Sequence, residues 1–433
     1  MQKTYYLHSY GCQMNLADSG ILSAAMDDAG FVSVSNPEEA GVIIINTCSV
    51  REKAEERALG RLTELARIKK TGDSRICAVG CMAQRMGEKI LERIPKIDFI
   101  LGTERLFDLP RLLNKESIEP VVDTRMTKNL DWAEFSPAPD NSYSAHVTIS
   151  RGCDNYCAYC IVPYLRGPER HREPGAIIDD INDLYGRGIV EITLVGQNVN
   201  SYNSAHLKFP GLLKKVVAET DINRIRFITS HPKDLSDDLI DLFSSEPKLM
   251  GHFHLPLQSG SDRILEMMFR KYDYTRYLSL IHQLRQARPN IAITTDLIVG
   301  FPTETEDEFG MTLEAVRDIR FDAAFMFRYS VRDGTWAAKN LKNDVPEEVK
   351  LRRLQELIEL QKEISYQVNQ KEIGRISSVL IDGTSRRDAS VWKGKTEGNK
   401  TILLKSPEDL LGKVVNSRIN RADSWTLHGE LAA

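Results

Sequence analysis

Strand-like apolar runs alternate with helical patterns along the first 370 residues, and this alternation constrains the fold more than any other feature. A helix between two strands returns the chain to the same end of a sheet, so the strands pair in parallel. Four such strands stand in about residues 1–120: "TYYLHSYG", "GVIIIN", "RICAVG" and "DFILGT". Helical patterns at Leu16–Ala29 and from about Val50 to Lys70 separate the first three. This section is expected to form a doubly wound parallel sheet, giving an α/β fold. Residues 145–370 repeat the alternation six times, at "AHVTIS", "EITLVGQ", "IRFITSH", "HFHLPLQ", "IAITTDLIVG" and "AAFMFRYS", with a long helix over Pro346–Gln370. Six successive units predict a partial (β/α)6 barrel, whose chemistry belongs at the carboxyl ends of the strands. Residues 121–144 have scattered polar residues and no sustained period, and read as a connector. Residues 371–433 break into short strand-like runs with Gly, Asp and Asn between them, the pattern of a small all-β barrel.

At 433 residues, a prior of about 150 per domain also suggests roughly three sections. The 42% hydrophobic and 27% charged content is that of an ordinary globular chain. No run of eighteen apolar residues is present and the first residues lack the apolar stretch of a signal peptide, so no membrane partner and a cytoplasmic address are expected. Net charge is −4, but residues 371–433 carry eleven Lys and Arg against eight Asp and Glu. That leaves +3 on the tail and −7 on the body, a mild pointer to a polyanionic partner.

Seven cysteines in a reducing compartment are poor disulfide material. Cys12, Cys48 and Cys81 each follow a predicted strand of the first section, where open parallel sheets place their ligand crevice. Cys77 lies inside a strand and reads as a small core hydrophobe. Cys153, Cys157 and Cys160 follow the first strand of the barrel section as C-x3-C-x2-C. A zinc site would want a fourth ligand, for which His171 is the nearest conceivable residue. A thioredoxin-like pair in "CAYC" would not need the third cysteine. A four-iron cluster normally takes four thiolates, so three leave one iron open, as a catalytic site requires.

C-x3-C-x2-C in this position resembles the radical S-adenosylmethionine enzymes. "YGCQMN" with Asp18 and Ser19, "NTCSVREKAEE", "VGCMAQR", "GCDNYCAYCIVPYLRG", "LVGQNVNSY", "HLPLQSGSDRILEMM" and "TTDLIVGFPTE" together resemble the methylthiotransferases of that superfamily. "YGCQMN" is similar to the branch that modifies N6-isopentenyladenosine beside the tRNA anticodon. The last section resembles the TRAM domain, a small RNA-binding barrel. In "RGPERHRE", Pro168 and His171 depart from the Arg and Ser more usual in the family, which puts fine contacts of that loop in doubt.

The resemblance implies two [4Fe–4S] clusters. One would be held by Cys153, Cys157 and Cys160, its open iron chelated by S-adenosylmethionine. The other would be held by Cys12, Cys48 and Cys81, its open iron carrying the sulfur to be transferred. Around S-adenosylmethionine it implies Tyr159 on the adenine, Gly196, Gln197 and Asn198 near the methionyl amino group, and Ser230, Gln258 and Ser330 as polar contacts from later strands. It implies replacement of the C2 hydrogen of the modified adenosine by a methylthio group, with two S-adenosylmethionine molecules per turnover. That hydrogen is unactivated, and no base of ordinary pKa removes it. The implied partners are a tRNA anticodon stem-loop and an electron donor protein; a monomer is the simplest arrangement.

For RNA contacts, Arg386, Arg387, Trp392, Lys393, Lys395 and Lys400, with Lys413, Arg418 and Arg421, form a basic cluster around one aromatic. Such a surface suits phosphates and a stacked base. Arg166, Arg170 and Arg172 are expected to hold phosphates nearer the chemistry.

Overall fold

The computed structural model describes residues 3–50, 52–68, 74–114, 119–127, 139 and 143–432. Most of the expected connector at 121–144 lies outside the described residues. The chain forms two compact units: residues 1–156 with 160–197, and residues 157–159 with 198–433.

The first unit is built on a parallel sheet. Strands β1 (Thr4–Ser9), β2 (Val32–Ser33), β3 (Val42–Thr47), β4 (Arg75–Gly80), β5 (Phe99–Leu101) and β6 (Val121–Asp123) lie in the order β2-β1-β3-β4-β5-β6. The four expected strands are present, and β2 and β6 add short edges that are too brief for a period to betray. Register is set by pairs such as Tyr5 with Val42 and Cys77 with Phe99. The interior strands are apolar on both faces, as parallel strands covered on both sides must be. Val42, Ile44, Cys77 and Val79 face Leu22 and Met26 of helix α1 (Gln13–Asp28). Ile43, Ile45, Ile76 and Ala78 face Ala58, Leu62 and Leu65 of helix α2 (Glu52–Ile68). The sheet is therefore doubly wound, and Cys77 is core packing. Leu22 and Met26 are fully buried, each side chain contributing roughly 1.5–3 kcal/mol. The same unit contains the parallel pair Ser144–Thr148 and Glu191–Val195, joined through the helix Pro174–Gly186.

The second unit continues the strand–helix succession. Its strands are Arg224–Phe227, His252–His254, Ala292–Val299 and Ala323–Arg328, the last three forming one parallel sheet. The helix Glu347–Gln370 follows and leads into a closed barrel of five strands. That barrel is filled by Val379, Ile381, Ile402, Leu404, Leu410, Ile419 and Leu427. Closure removes the exposed edges that an open small sheet would carry. Polar anchors fasten it to the preceding section: Arg226 donates to the carbonyls of Thr396 and Glu397 at 2.8 and 2.9 Å, and Asn369 to that of Asp423 at 2.9 Å. Among the described residues no helix is long and apolar enough to cross a membrane.

Candidate metal centres

The β1–β3 boundary is where the sheet's winding direction reverses, and ligands bind such sheets outside the strand ends at that point. Cys12 caps α1 just beyond β1, and Cys48 follows β3. Two interlocked asparagines align them. Asn15 donates to Asn46 Oδ1 and to the Thr47 carbonyl at 3.1 Å each, and Asn46 donates back to the Asn15 carbonyl at 2.8 Å. Gly11, at φ +145°, lies so close that a Cβ would sit 2.5 Å from the Cys48 Cβ. Cys81 begins helix α3 (Cys81–Met86) directly after β4. The Thr47 hydroxyl donates to the Val79 carbonyl at 2.5 Å and accepts from Ala83 N at 3.3 Å, tying the Cys48 loop to the turn that carries Cys81. Gly80 permits that turn: its φ is +91°, and a Cβ would lie 2.4 Å from Asn46 Oδ1.

The three thiols interact with one another. A hydrogen bond shared with Cys48, helped by the Arg166 cation and opposed by burial, brings the Cys12 thiol down to about 5. The same bond, with burial, raises Cys48, and burial raises Cys81. Three thiols thus converge from three strand ends, with one already favouring the thiolate that binds iron.

Arg166 faces all three. Burial works against its charge, but Cys81, Cys12 and Cys48 more than offset that. Its guanidinium pairs with Asp18 at 2.7 Å, and Asp18 also accepts from Arg151. All three side chains are at most 4% exposed. Arg172 is likewise buried against Asp180 at 2.7 Å, and Arg170 is paired with Glu104. Arg166, Arg170 and Arg172, expected to hold phosphates, are thus each engaged by a carboxylate inside the unit. A guanidinium taken out of water is costly unless compensated, and Asp18, 148 positions from Arg166, is a partner that linear sequence does not display.

Beside the second cysteine set, Gly152 adopts φ +82°, where a Cβ would lie 1.9 Å from the Pro168 carbonyl oxygen. Cys153 N donates to the Gly167 carbonyl at 3.2 Å, and Gly152 N to Gln197 Oε1 at 2.5 Å. Cys153 and Cys157 are buried; Cys160 is half-buried. In the second unit, Ala158 N donates to the Met268 carbonyl at 3.0 Å, and Tyr159 packs on a cluster of Ala158, Ile264, Met268 and Phe301. Arg270 Nη1 donates to Cys157 Sγ at 3.2 Å.

Gly196 abuts Ser150, whose Oγ would be 2.3 Å from an added Cβ. Among the described residues Gln197 Nε2, Asn198 Oδ1, Ser230 Oγ, His231 Nε2 and Gln258 Oε1 are buried polar atoms with no hydrogen-bond partner. Buried atoms of this kind are rare unless a ligand completes them. Gln258 also holds φ +75°, a strained value for a non-glycine residue. Ser330 is half-buried. His231 accepts from Lys233 N through Nδ1 at 3.2 Å. Burial holds its pKa far below the usual value, so the neutral ring carries its proton on Nε2.

On the terminal barrel, Arg386, Arg387, Lys413, Arg418 and Arg421 are exposed. Lys393 pairs with Asp382 at 3.0 Å, Lys395 donates to Thr401 Oγ1 at 3.0 Å, and Trp392 is half-buried against the barrel core. Lys400 departs from expectation. It is half-buried between Asp322 at 2.8 Å and Glu372 at 3.2 Å, where it fastens the barrel. Trp425, 55% exposed, is an aromatic of this barrel that its sequence surroundings do not single out. Asp18, His231 and Arg270 stand beside these candidate residues; Asp18 falls in a stretch that resembles the family and His231 ends a strand-like run, whereas Arg270 carries no signal in sequence.

Family models match three segments: "Uncharacterized protein family UPF0004" at residues 4–102, the "Radical SAM superfamily" at 147–316 and the "TRAM domain" at 370–432. A tRNA-2-methylthio-N(6)-dimethylallyladenosine synthase of Carboxydothermus hydrogenoformans is 42% identical over 439 residues, covering 99% of each chain. The protein of that name from Caldicellulosiruptor saccharolyticus is 44% identical over 99% of this chain and 92% of its own. Among solved structures, the radical S-adenosylmethionine methyltransferase TsrM from Kitasatospora setae superposes with a TM-score of 0.54 at 14% identity, over 78% of this chain and 77% of that one. That likeness establishes the fold.

Proposed function

Because the chain belongs to the tRNA-2-methylthio-N(6)-dimethylallyladenosine synthases, radical SAM methylthiotransferases, we propose that it replaces the C2 hydrogen of N6-dimethylallyladenosine beside a tRNA anticodon by a methylthio group. When bound, two [4Fe–4S] clusters and two molecules of S-adenosylmethionine per turnover would supply the radical that removes the hydrogen, the sulfur and its methyl group. Cys153, Cys157 and Cys160 would hold one cluster, and Cys12, Cys48 and Cys81 the other.

The observation that carries this reading is the convergence of Cys12, Cys48 and Cys81 from three strand ends, far apart in sequence. Three sulfurs, those of Cys48 and Cys81 buried and that of Cys12 half-buried, with a cation beside them suit a four-iron cluster with one open iron. Cys81 packs on Ile161 and Leu165, and Ile161 follows Cys160 directly, so packing within the first unit supports a common neighbourhood for the two sets. Asn198, Ser230 and Gln258 offer buried, uncompleted acceptors and a donor for the amino acid and ribose groups of S-adenosylmethionine. Gln197 would add its Nε2 donors, and Gly196, packed against Ser150, would contact the same cofactor with its backbone, together with Tyr159 and Ser330. The chain's part is to bind, orient and exclude water. Arg386, Arg387, Lys413, Arg418 and Arg421 supply the phosphate contacts to the anticodon stem-loop, with Lys393, Lys395 and Trp392 beside them. An electron donor protein completes the partners, and the reducing cytoplasm keeps the seven free thiols available.

Anaerobic reconstitution of the full chain tests the reading. About eight irons per chain are expected, from two four-iron clusters. The triple variant C12A/C48A/C81A should retain about half and still form 5′-deoxyadenosine from S-adenosylmethionine and a reductant. Mass spectrometry of nucleosides from treated tRNA should show the methylthio product with the intact protein only. Zinc in place of iron, or no product from the reconstituted protein, would overturn the reading.

A further inference from the structure

Arg270 is a buried cation without a carboxylate. Its side chain is almost wholly enclosed, at 4% exposure. Nε donates to the Tyr272 hydroxyl at 2.9 Å, Nη2 to the Pro256 carbonyl at 3.3 Å and Nη1 to Cys157 Sγ at 3.2 Å. The guanidinium also lies 5.2 Å from the Tyr272 ring centre. Tyr272 is itself fixed, donating to the Pro256 and Leu257 carbonyls at 2.9 Å each. Burial pushes its phenol up to about 12, so it remains a neutral partner. Among the described residues no carboxylate forms an ion pair with Arg270. Several other buried arginines have one: Arg151 and Arg166 share Asp18, Arg172 has Asp180, and Arg353, on the long helix Glu347–Gln370, has Glu304.

The backbone is bent to keep Arg270 there. Phe269 and Lys271, its two neighbours, adopt φ +62° and +54°, a left-handed region that side chains larger than glycine disfavour. Strain on both sides of one residue persists where the surroundings demand that residue's position. A guanidinium removed from water needs an anion, and the one ionisable sulfur it reaches is that of Cys157.

We propose that Arg270 is the electrostatic counterpart of the cluster held by Cys157, donating an N–H to the ligating sulfur and raising the cluster's reduction potential. This rests on the reading that Cys153, Cys157 and Cys160 hold a four-iron cluster. Reduction adds one electron, and so one negative charge, to a site already carrying three thiolates. A fixed cation and a sulfur-directed hydrogen bond both favour the reduced form, and these are levers by which proteins set such potentials. Arg270 is a positioning and tuning residue and takes no part in bond making.

The test uses the full chain in the C12A/C48A/C81A background, so that one cluster is read, reconstituted anaerobically and titrated by electron paramagnetic resonance against dithionite and titanium(III) citrate. R270Q should be at least about tenfold harder to reduce, a shift of about −59 mV for one electron. R270K, which keeps the charge, should shift by less than half as much. If R270Q fails to take up iron, Y272F is titrated in its place, and a smaller shift in the same direction is expected from the loosened guanidinium. An unchanged midpoint in the variant titrated overturns the proposal, as do equal shifts in R270K and R270Q. Absence of any reducible cluster with Arg270 present would instead overturn the cysteine-set reading beneath it.

Discussion

Arg166 and Asp18 lie 148 positions apart in sequence and form a 2.7 Å ion pair that solvent scarcely touches. Asp18 comes from α1 of the doubly wound sheet, and Arg166 ends the short helix that follows the C-x3-C-x2-C segment. Arg151 is the second arginine on the same carboxylate. One carboxylate therefore anchors two segments that flank the cysteines to the sheet that carries the other three.

Removing that carboxylate strands two buried cations. D18A should lower the unfolding free energy by about 3–5 kcal/mol, the usual cost of breaking a buried pair. Urea denaturation of the apoprotein measures it, and a loss below about 1 kcal/mol would mean that the pair behaves as a surface contact.

The proposed clusters would separate the cysteines by role. C12A, C48A or C81A should each lower iron content from about eight toward four per chain. C77A should leave iron unchanged, because Cys77 points into the α1 side of the core. Iron loss in C77A equal to that in C48A would contradict this division.

Backbone space is restrictive at Gly152. In G152A the new methyl would collide with the Pro168 carbonyl at a φ of +82°, so a cost of at least about 1–3 kcal/mol is expected. Iron bound in the C12A/C48A/C81A background should fall with it. Unaltered stability and iron content in G152A would show that the loop relaxes freely.

Charge on the terminal barrel should divide into exposed and structural. R418A or R421A should weaken tRNA binding and reduce the slope of log affinity against log salt by roughly 0.7–0.9 for each phosphate no longer neutralised. Lys400 is engaged by Asp322 and Glu372, so K400A should lower stability and leave that slope in place. Fluorescence anisotropy at several salt concentrations distinguishes the two outcomes.

Acid sensitivity has an identifiable contributor in Glu308. Arg263 grips its carboxylate at 2.6 and 2.7 Å, and Thr305 completes a capping box. The Arg263 hydrogen bond, opposed by burial, takes its pKa down to about 2 from an ordinary 4.5. A folded pKa below the unfolded one means that the unfolded state binds more protons in this interval. The stabilisation is full above about pH 4.5 and disappears as pH falls toward 2. Arg263 is half exposed, so solvent screening limits the effect to about 1–2 kcal/mol. E308Q should lose that amount at pH 7 and show a flatter stability profile between pH 4.5 and 2; parallel profiles would assign the acid sensitivity to other groups.

Much of this molecule is legible in the chain because the signals are local. Short apolar runs and period-3.6 patterns place β1, β3, β4 and the helices between them, and each cysteine at a strand end inherits its location from the strand before it. Gly11, Gly80 and Gly152 stand beside cysteines in sequence, so their permissive backbone is also visible there. Arg166, Arg172, Arg270 and Lys400 are different. Locally each is only a basic residue, indistinguishable from an exposed one such as Arg418. What separates them is the long-range packing that brings Asp18, Asp180, Cys157 or Asp322 within bonding distance. The sequence alone determined the α/β fold, the terminal barrel and two sets of three cysteines, because those follow from periodicity and spacing. Tertiary structure alone decided which cations stay exposed and which face carboxylate or sulfur, because the energy of a charge depends on what surrounds it in space.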